Sequence, residues 1–166
     1  MRPRDSVKAT IRHRFVVLEL AKGWVELRRT GLWTLKHPGR KGELTLSMFP
    51  VAQGIAMDLA TLEALSRERQ SKSVFGRMQV FFDETSWSRG AVFCLVTSAR
   101  LRRPHGIRLP FLWPGDDRTA FLRSWTVSDG AYVLEASFRE YSEQNFHVGA
   151  KDGDTMMLSV RFEGPS

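Results

Sequence analysis

The sequence predicts an α+β fold: a mainly antiparallel β-sheet of seven to nine short strands, with one principal helix at about residues 57–70 packed on it. Short segments alternate apolar and polar side chains, Gly, Pro and Asp separate them, and a single stretch shows helical spacing of apolar residues. The 166 residues are 42% hydrophobic and 26% charged, as in globular proteins. We therefore expect one domain over 1–166, with loose termini at 1–9 and 164–166.

The N-terminal part predicts a meander of antiparallel strands. Residues 10–20 are rich in β-branched and aromatic side chains and predict a first strand. Two shorter strands follow, over 24–29 and 32–37, separated by Thr30-Gly31. In the next strand, 43–50, three apolar side chains alternate with polar ones, which is typical of a half-buried strand.

The helix over 57–70 combines an apolar face with a charged one, and Asp58 is placed to cap its first turn. After it, 74–82 predicts a strand in which Gly76 marks a bulge. Residues 83–90 predict a loop. The apolar run 91–101 then predicts a central strand that contains Cys94.

The C-terminal part contains the clearest hairpin. Two alternating runs, 119–127 and 131–140, flank Asp129-Gly130, a pair suited to the positive φ of a tight turn. The preceding segment 107–117 contains two prolines and predicts an edge or a loop. A polar loop over 141–154 and a last strand over 155–163 complete the prediction.

Positive charge is concentrated at the N-terminus. The net charge is +7, and residues 1–40 hold ten basic and three acidic residues, so the rest of the chain is neutral overall. Arginine pairs well with phosphates, and exposed tryptophans can stack on bases. One hypothesis is therefore nucleic-acid binding, with four arginines contacting phosphates: Arg12, Arg14, Arg28 and Arg29.

The single cysteine and the N-terminal residues exclude several classes of protein. Cys94 cannot form an internal disulfide or a thiolate metal cluster. The first residues lack the apolar core of a signal peptide, and no later stretch is long and apolar enough for a membrane span. We expect a cytoplasmic protein without membrane association, metal or cofactor.

No catalytic motif stands out in the sequence. Cys94 lies in an apolar run, where a neutral buried thiol is expected. Histidines and loop carboxylates are scattered, and the K-D-G-D at 151–154 lacks the later ligands of a calcium loop. An enzyme that uses His105 or His147 with loop carboxylates remains a third hypothesis, behind the non-enzymatic ones.

Aromatic and arginine side chains point to a protein partner. The five tryptophans are many for this length, and Trp is enriched at interfaces. Core packing is the expected fate of at least three of them. A surface of loop aromatics and clustered basic residues is the predicted partner-binding site: Trp87, Arg100, Arg102, Arg103, His105, Arg108, Phe111, Leu112 and Trp113.

The order of elements resembles the Mog1/PsbP-like fold family. The shared features are a Gly23-Trp24 pair, a strand containing Trp33, the segment GELTLS, one amphipathic helix, a W-x-x-x-D-G-x-x-x-L-x-A pattern starting at Trp125, and a final MLSVRF strand. The sequence predicts no clear second helix near the C-terminus, and in this the prediction departs from the family pattern. Small bacterial members include chaperones of Rhs-type secreted effectors and other toxin-associated proteins, which work through protein contacts.

The leading functional prediction is thus a non-enzymatic protein-binding domain, an immunity protein or chaperone for a bacterial toxin or secreted effector. Its oligomeric state does not follow from the sequence. Aromatic anchors would enter apolar pockets of the partner, while the arginines meet acidic groups.

Overall fold

The structure is a computed structural model that describes residues 9–29, 32–72, 79–102 and 119–164. It confirms the α+β class with two helices and two antiparallel sheets. In chain order the elements are β1 (Thr10–His13), β2 (Val16–Glu19), β3 (Val25–Arg29), β4 (Leu32–Lys36), β5 (Glu43–Pro50), α1 (Leu59–Lys72), β6 (Gln79–Arg89), β7 (Val92–Arg102), β8 (Thr119–Ser128), β9 (Tyr132–Glu140), α2 (Glu143–Leu158) and β10 (Arg161–Phe162).

The strands form one large sheet and one small sheet. Within the described ranges, the large sheet has seven strands in the order β3-β4-β5-β9-β8-β7-β6, and the small one has three in the order β1-β2-β10. Neither helix, nor any other helical stretch in the described ranges, combines the length and apolarity needed to cross a membrane.

The predicted first strand is two strands. Arg14 has a φ of 52°, and the chain turns there so that Ile11 of β1 pairs with Leu18 of β2. The prediction of one continuous strand over 10–20 was wrong. A tight turn of two residues reverses the chain there, and the alternation of apolar and polar residues gives no sign of such a turn.

The helix α1 and the hairpin β8–β9 confirm their predictions. The Thr61 amide donates to the Asp58 carboxylate at 2.8 Å, so Asp58 caps α1 as expected. Gly130 adopts a φ of 91° in the turn between β8 and β9. The register then pairs Trp125 with Ala136 and Val127 with Leu134, whose side chains all face the core.

The C-terminal helix α2 overturns the prediction of a loop over 141–154 and a strand over 155–163. Ser142 caps it by accepting from the Asn145 amide. Its buried side follows helical spacing: Phe146, Gly149, Ala150, Gly153, Met156 and Met157. The two glycines of this stripe weaken the helical signal in the sequence, since glycine adds no apolar side chain and is a poor helix former.

The core lies between the large sheet and a layer made of α2 and the small sheet. The same hydrophobic cluster holds Leu18 of β2, Phe138 of β9 and Phe146 of α2, all at most 2% exposed. Three tryptophans are buried in it, as expected: Trp24, Trp33 and Trp125. We call this side of the large sheet its core face and the opposite side, over which α1 lies, its outer face.

Candidate functional site

Strand β6 forms one edge of the large sheet in the described part of the chain. The predicted loop over 83–90 is wrong, since β6 continues through Arg89 and pairs with β7 along its whole length. Most residues of the strand are solvent-exposed, and β7 is its one neighbour among the described strands. Edge strands of this kind offer unpaired backbone groups to other chains.

Three consecutive large apolar side chains are exposed on β6. The exposed fractions are 53% for Val80, 38% for Phe81 and 48% for Phe82. The pairing shifts between Phe81 and Asp83, so Phe82 is the extra residue of a β-bulge. Exposed apolar residues scattered singly need no explanation, whereas a contiguous group marks an interaction surface.

Arg100 of β7 borders this apolar group on the core face. Its guanidinium carbon lies 5.6 Å from the centre of the Phe82 ring and 5.7 Å from that of Phe121, both within cation–π range. The same guanidinium is 3.5 Å from the Glu143 carboxylate at the start of α2. We define the edge surface as Val80, Phe81, Phe82 and Arg100.

The helix α2 packs against the edge surface on the core face of the sheet. The Phe82 ring meets the buried Phe146 ring edge-on, with 6.4 Å between their centres. Asp83, beside Phe82, lies 3.1 Å from the guanidinium of Arg123, which also bonds to α2. Because β6 and α2 share these contacts, the position of Phe82 depends on how α2 packs.

The predicted partner-binding residues do not form one surface among the residues that the structure describes. Arg100 lies in the edge surface and Arg102 ends β7, whereas Trp87 lies at the other end of β6, opposite Cys94. Trp87 and Val80 are thus seven positions apart, which is roughly 20 Å along a strand. The Trp87 side chain is half-buried against the core cluster. The remaining predicted residues lie outside the described ranges: Arg103, His105, Arg108, Phe111, Leu112 and Trp113.

Sequence reasoning missed the apolar part of the edge surface. Val80, Phe81 and Phe82 were placed in a strand, but their exposure was not predicted. The available signal was their succession, since strict alternation would turn at least one large apolar side chain to the solvent side of a half-buried strand.

The four arginines of the nucleic-acid hypothesis belong to two separate hairpins, β1–β2 and β3–β4. Arg12 and Arg14 belong to the β1–β2 hairpin, where the Arg12 guanidinium pairs with Glu163. Arg28 and Arg29 lie at the end of β3 in the large sheet.

The described histidines have separate surroundings. His13 stacks on Trp33 with 4.9 Å between ring centres, and His37 accepts a hydrogen bond from the Gly39 amide. His147 is exposed on α2, 3.9 Å from Glu143. His105 lies outside the described ranges.

The carboxylates of the K-D-G-D motif lie on α2 and bind protein groups. Asp154 accepts two hydrogen bonds from Arg123, at 2.9 and 3.0 Å, and one from the Trp125 indole at 2.8 Å. Asp152 accepts from the Trp24 indole at 2.9 Å and from Arg40 at 2.6 Å. Each carboxylate therefore joins α2 to one tryptophan and one arginine of the strands and their connections.

Cys94 is a buried core residue. It is 0% exposed and belongs to the hydrophobic cluster. Burial, with the Asp154 carboxylate as the second cause, raises the pKa of the Cys94 thiol to about 12. A thiol with this pKa is protonated at neutral pH and does not act as a nucleophile.

The burial of Cys94 predicts slow reaction with thiol reagents. At pH 8 the thiolate fraction of a group with a pKa of about 12 is on the order of 10⁻⁴, against roughly a quarter for a free cysteine. We expect the native protein to react with dithionitrobenzoate at least 100-fold more slowly than the urea-unfolded protein. Equal rates in the two states would contradict the buried, protonated thiol.

The comparisons with known proteins show similarity of fold. No family model and no curated protein matches the sequence. The structure of LpqN from Mycobacterium tuberculosis, described as involved in cell envelope biogenesis, aligns with a TM-score of 0.62 and 9% identity over 96% of this chain and 87% of that one. The solution structure of cyanobacterial PsbP from Synechocystis sp. PCC 6803 aligns with a TM-score of 0.59 and 8% identity over 90% and 87%.

A third similar structure comes from Bacteroides thetaiotaomicron VPI-5482, with a TM-score of 0.52 and 12% identity; it covers 90% of this chain but only 45% of that one. At these identities the similarity concerns the fold alone. The chain has a PsbP-like fold, as its order of elements indicated.

Proposed function

We propose that this chain is a non-enzymatic protein-binding domain and that the edge surface is its partner-binding site. The observation that carries the proposal is the exposure of Val80, Phe81 and Phe82 side by side on an edge strand, with Arg100 against the Phe82 ring. Aromatic and arginine side chains are the residue types that contribute most to protein interfaces.

The arrangement supports both affinity and orientation. Phe82 and Val80 offer apolar area that a partner would remove from water, which stabilises a complex by about 25 cal/mol per Å² before the cost of association. Arg100 is 45% exposed at its side chain, so it keeps donors available beyond its contact with Glu143. It would meet an acidic group of the partner and increase the association rate.

We infer further that the partner is a bacterial toxin or secreted effector, and that the chain acts in the cytoplasm as its immunity protein or chaperone. The resemblance to toxin-associated members of the fold family supports this choice. The placement of the described histidines and of Cys94 in separate, structurally explained surroundings supports a non-enzymatic role.

The proposal is tested by affinity capture with matched variants. The tagged protein is incubated with a lysate of its own host and washed at about 0.3 M salt, where surface charge is strongly screened. We expect the wild type to retain one stoichiometric protein and Phe82→Glu to lose it. Val148→Glu is the control, because Val148 is 45% exposed on α2, similar to the 48% of Phe82.

Two results would overturn the proposal. Equal retention of the protein by the wild type and by Phe82→Glu would place the partner elsewhere on the surface. Nucleic acid that elutes as salt rises, with no stoichiometric protein, would favour the nucleic-acid hypothesis instead.

A further inference from the structure

A cleft of about 330 Å³ lies between α1 and the outer face of the large sheet. Leu62, Leu65 and Ser66 of α1 form its roof, and residues of β5, β9, β8 and β7 form its floor. Leu62 is 2% exposed, but Leu65, one turn further along the helix, is 38% exposed. The cleft is therefore bounded by the helix and open at its rim.

The floor of the cleft carries a row of hydroxyl groups. The pairing registers align Thr45 with Ser137, Ser137 with Ser124, and Ser124 with Thr97, so four adjacent strands each contribute one hydroxyl. Ser47 and Thr126 lie in the neighbouring row of the floor. Apolar residues of the same strands lie on this face beside the row and also line the cleft, among them Leu95, Leu122 and Val133.

This floor is unusual beneath a helix. A hydroxyl buried without a hydrogen-bond partner costs free energy, so packed helix–sheet interfaces are normally apolar. A hydroxyl both donates and accepts, which makes such a row suited to polar groups of a bound molecule. The rim and walls are apolar and include Phe49, Met57 and Phe81.

The charge of the lining restricts the ligand. Among the described residues that line the cleft, Glu135 is the one acidic side chain, and none is Lys, Arg or His. An anionic ligand would be desolvated beside the Glu135 carboxylate, and the described lining offers that ligand no cationic side chain, which makes its binding unfavourable. A volume of about 330 Å³ is at the lower end of the range for small-molecule sites.

We propose that this cleft binds an uncharged amphipathic small molecule, with its apolar body against the α1 side and its hydrogen-bonding groups on the hydroxyl row. This site lies on the opposite face of the sheet from Phe82 and Arg100. Phe81 of the edge surface also lines the cleft, whereas Phe82 and Arg100 do not line it.

A pair of fluorescent probes with one skeleton tests the charge preference. N-phenyl-1-naphthylamine is neutral, and anilinonaphthalene sulfonate carries a negative charge on the same aromatic framework. We expect saturable binding of the neutral probe, with one site per chain and a dissociation constant at least about tenfold lower than that of the sulfonate. Equal affinities, or no saturable binding of the neutral probe, would overturn the proposal.

Two variants and a control locate the probe. Ser124→Phe fills the centre of the floor, and Leu65→Glu places a charge at the exposed rim. Each is expected to raise the dissociation constant of the neutral probe at least about fivefold, while Val148→Glu on α2 leaves it unchanged. Circular dichroism checks that each variant is folded. Because Leu65 is exposed, Leu65→Glu keeps the test decisive if Ser124→Phe does not fold, and unchanged binding in a folded Leu65→Glu would refute the proposed location.

Discussion

Asp154→Ala is expected to lower the free energy of unfolding by about 2–4 kcal/mol. The substitution removes the carboxylate that accepts two hydrogen bonds from the Arg123 guanidinium and one from the Trp125 indole N–H. Trp125 is 1% exposed and the Arg123 side chain 14% exposed, so water replaces these bonds poorly. The lower end of the range reflects the 38% exposure of the Asp154 side chain. Urea unfolding followed by tryptophan fluorescence measures the change as a shift in midpoint.

Two further variants show which interaction causes the loss of stability. Asp154→Asn keeps an oxygen that accepts from the Trp125 indole but loses the charge opposite Arg123, so an intermediate loss is expected. Glu143→Ala removes an acidic residue of the same helix that is 58% exposed, and it should cost less than about 1 kcal/mol. A loss for Asp154→Ala no larger than for Glu143→Ala would show that this network does not hold α2 on the sheet.

Gly149→Ala is expected to destabilise the protein by about 1–3 kcal/mol, although alanine is the better helix former by about 1 kcal/mol. A Cβ at Gly149 would lie 2.6 Å from Cε1 of Phe138 and closer still to Cζ. The Phe138 side chain is fully buried and cannot swing aside without disturbing the core. The sign of the effect is the diagnostic quantity, measured from the unfolding midpoint.

A double-mutant cycle isolates the cause. In a Phe138→Leu background the ring is absent, so Gly149→Ala is expected to cost less there than in the wild type, with a coupling energy of about 1–2 kcal/mol. Stabilisation by Gly149→Ala in the wild-type background would mean that α2 does not approach the sheet as closely as described.

Both substitutions also bear on the partner-binding proposal. Phe146 of α2 packs against Phe82, and Glu143 at its start lies beside Arg100. Loosening α2 therefore removes the support beneath the edge surface. Variants that weaken α2 should weaken partner capture, even though Asp154 and Gly149 are not part of that surface.

Local rules predicted the parts of the fold that are decided by neighbours in sequence. Asp58 caps α1 because a carboxylate three residues before Thr61 reaches its amide in any helix. Asp129-Gly130 closes the β8–β9 hairpin because glycine adopts positive φ without a steric penalty. The alternation along β5 likewise separated Leu44 and Leu46, which are buried in the core, from the polar residues between them.

The same rules failed where the deciding contacts are distant in sequence. The apolar stripe of α2 contains Gly149 and Gly153, whose small size matters only because Phe138 and Trp125 lie against them. Residues 83–89 look like a loop, yet β7 provides a full ladder of backbone hydrogen bonds that holds their polar side chains in a strand. The polar motif at 151–154 was predicted to lie in a loop, because the arginine and tryptophan partners of its carboxylates are remote in the chain.

The sequence by itself determined the α+β class, the order of most strands, the start of α1 and the turn of the β8–β9 hairpin, since these follow from side-chain periodicity and backbone preference. The tertiary structure alone decided that residues 143–158 form a helix, that Arg100 meets Phe82, and that a hydroxyl row lies beneath α1. Each of these depends on which strands become neighbours in the sheet. Pairing between distant segments is a property of the whole chain, and no local window of sequence contains it.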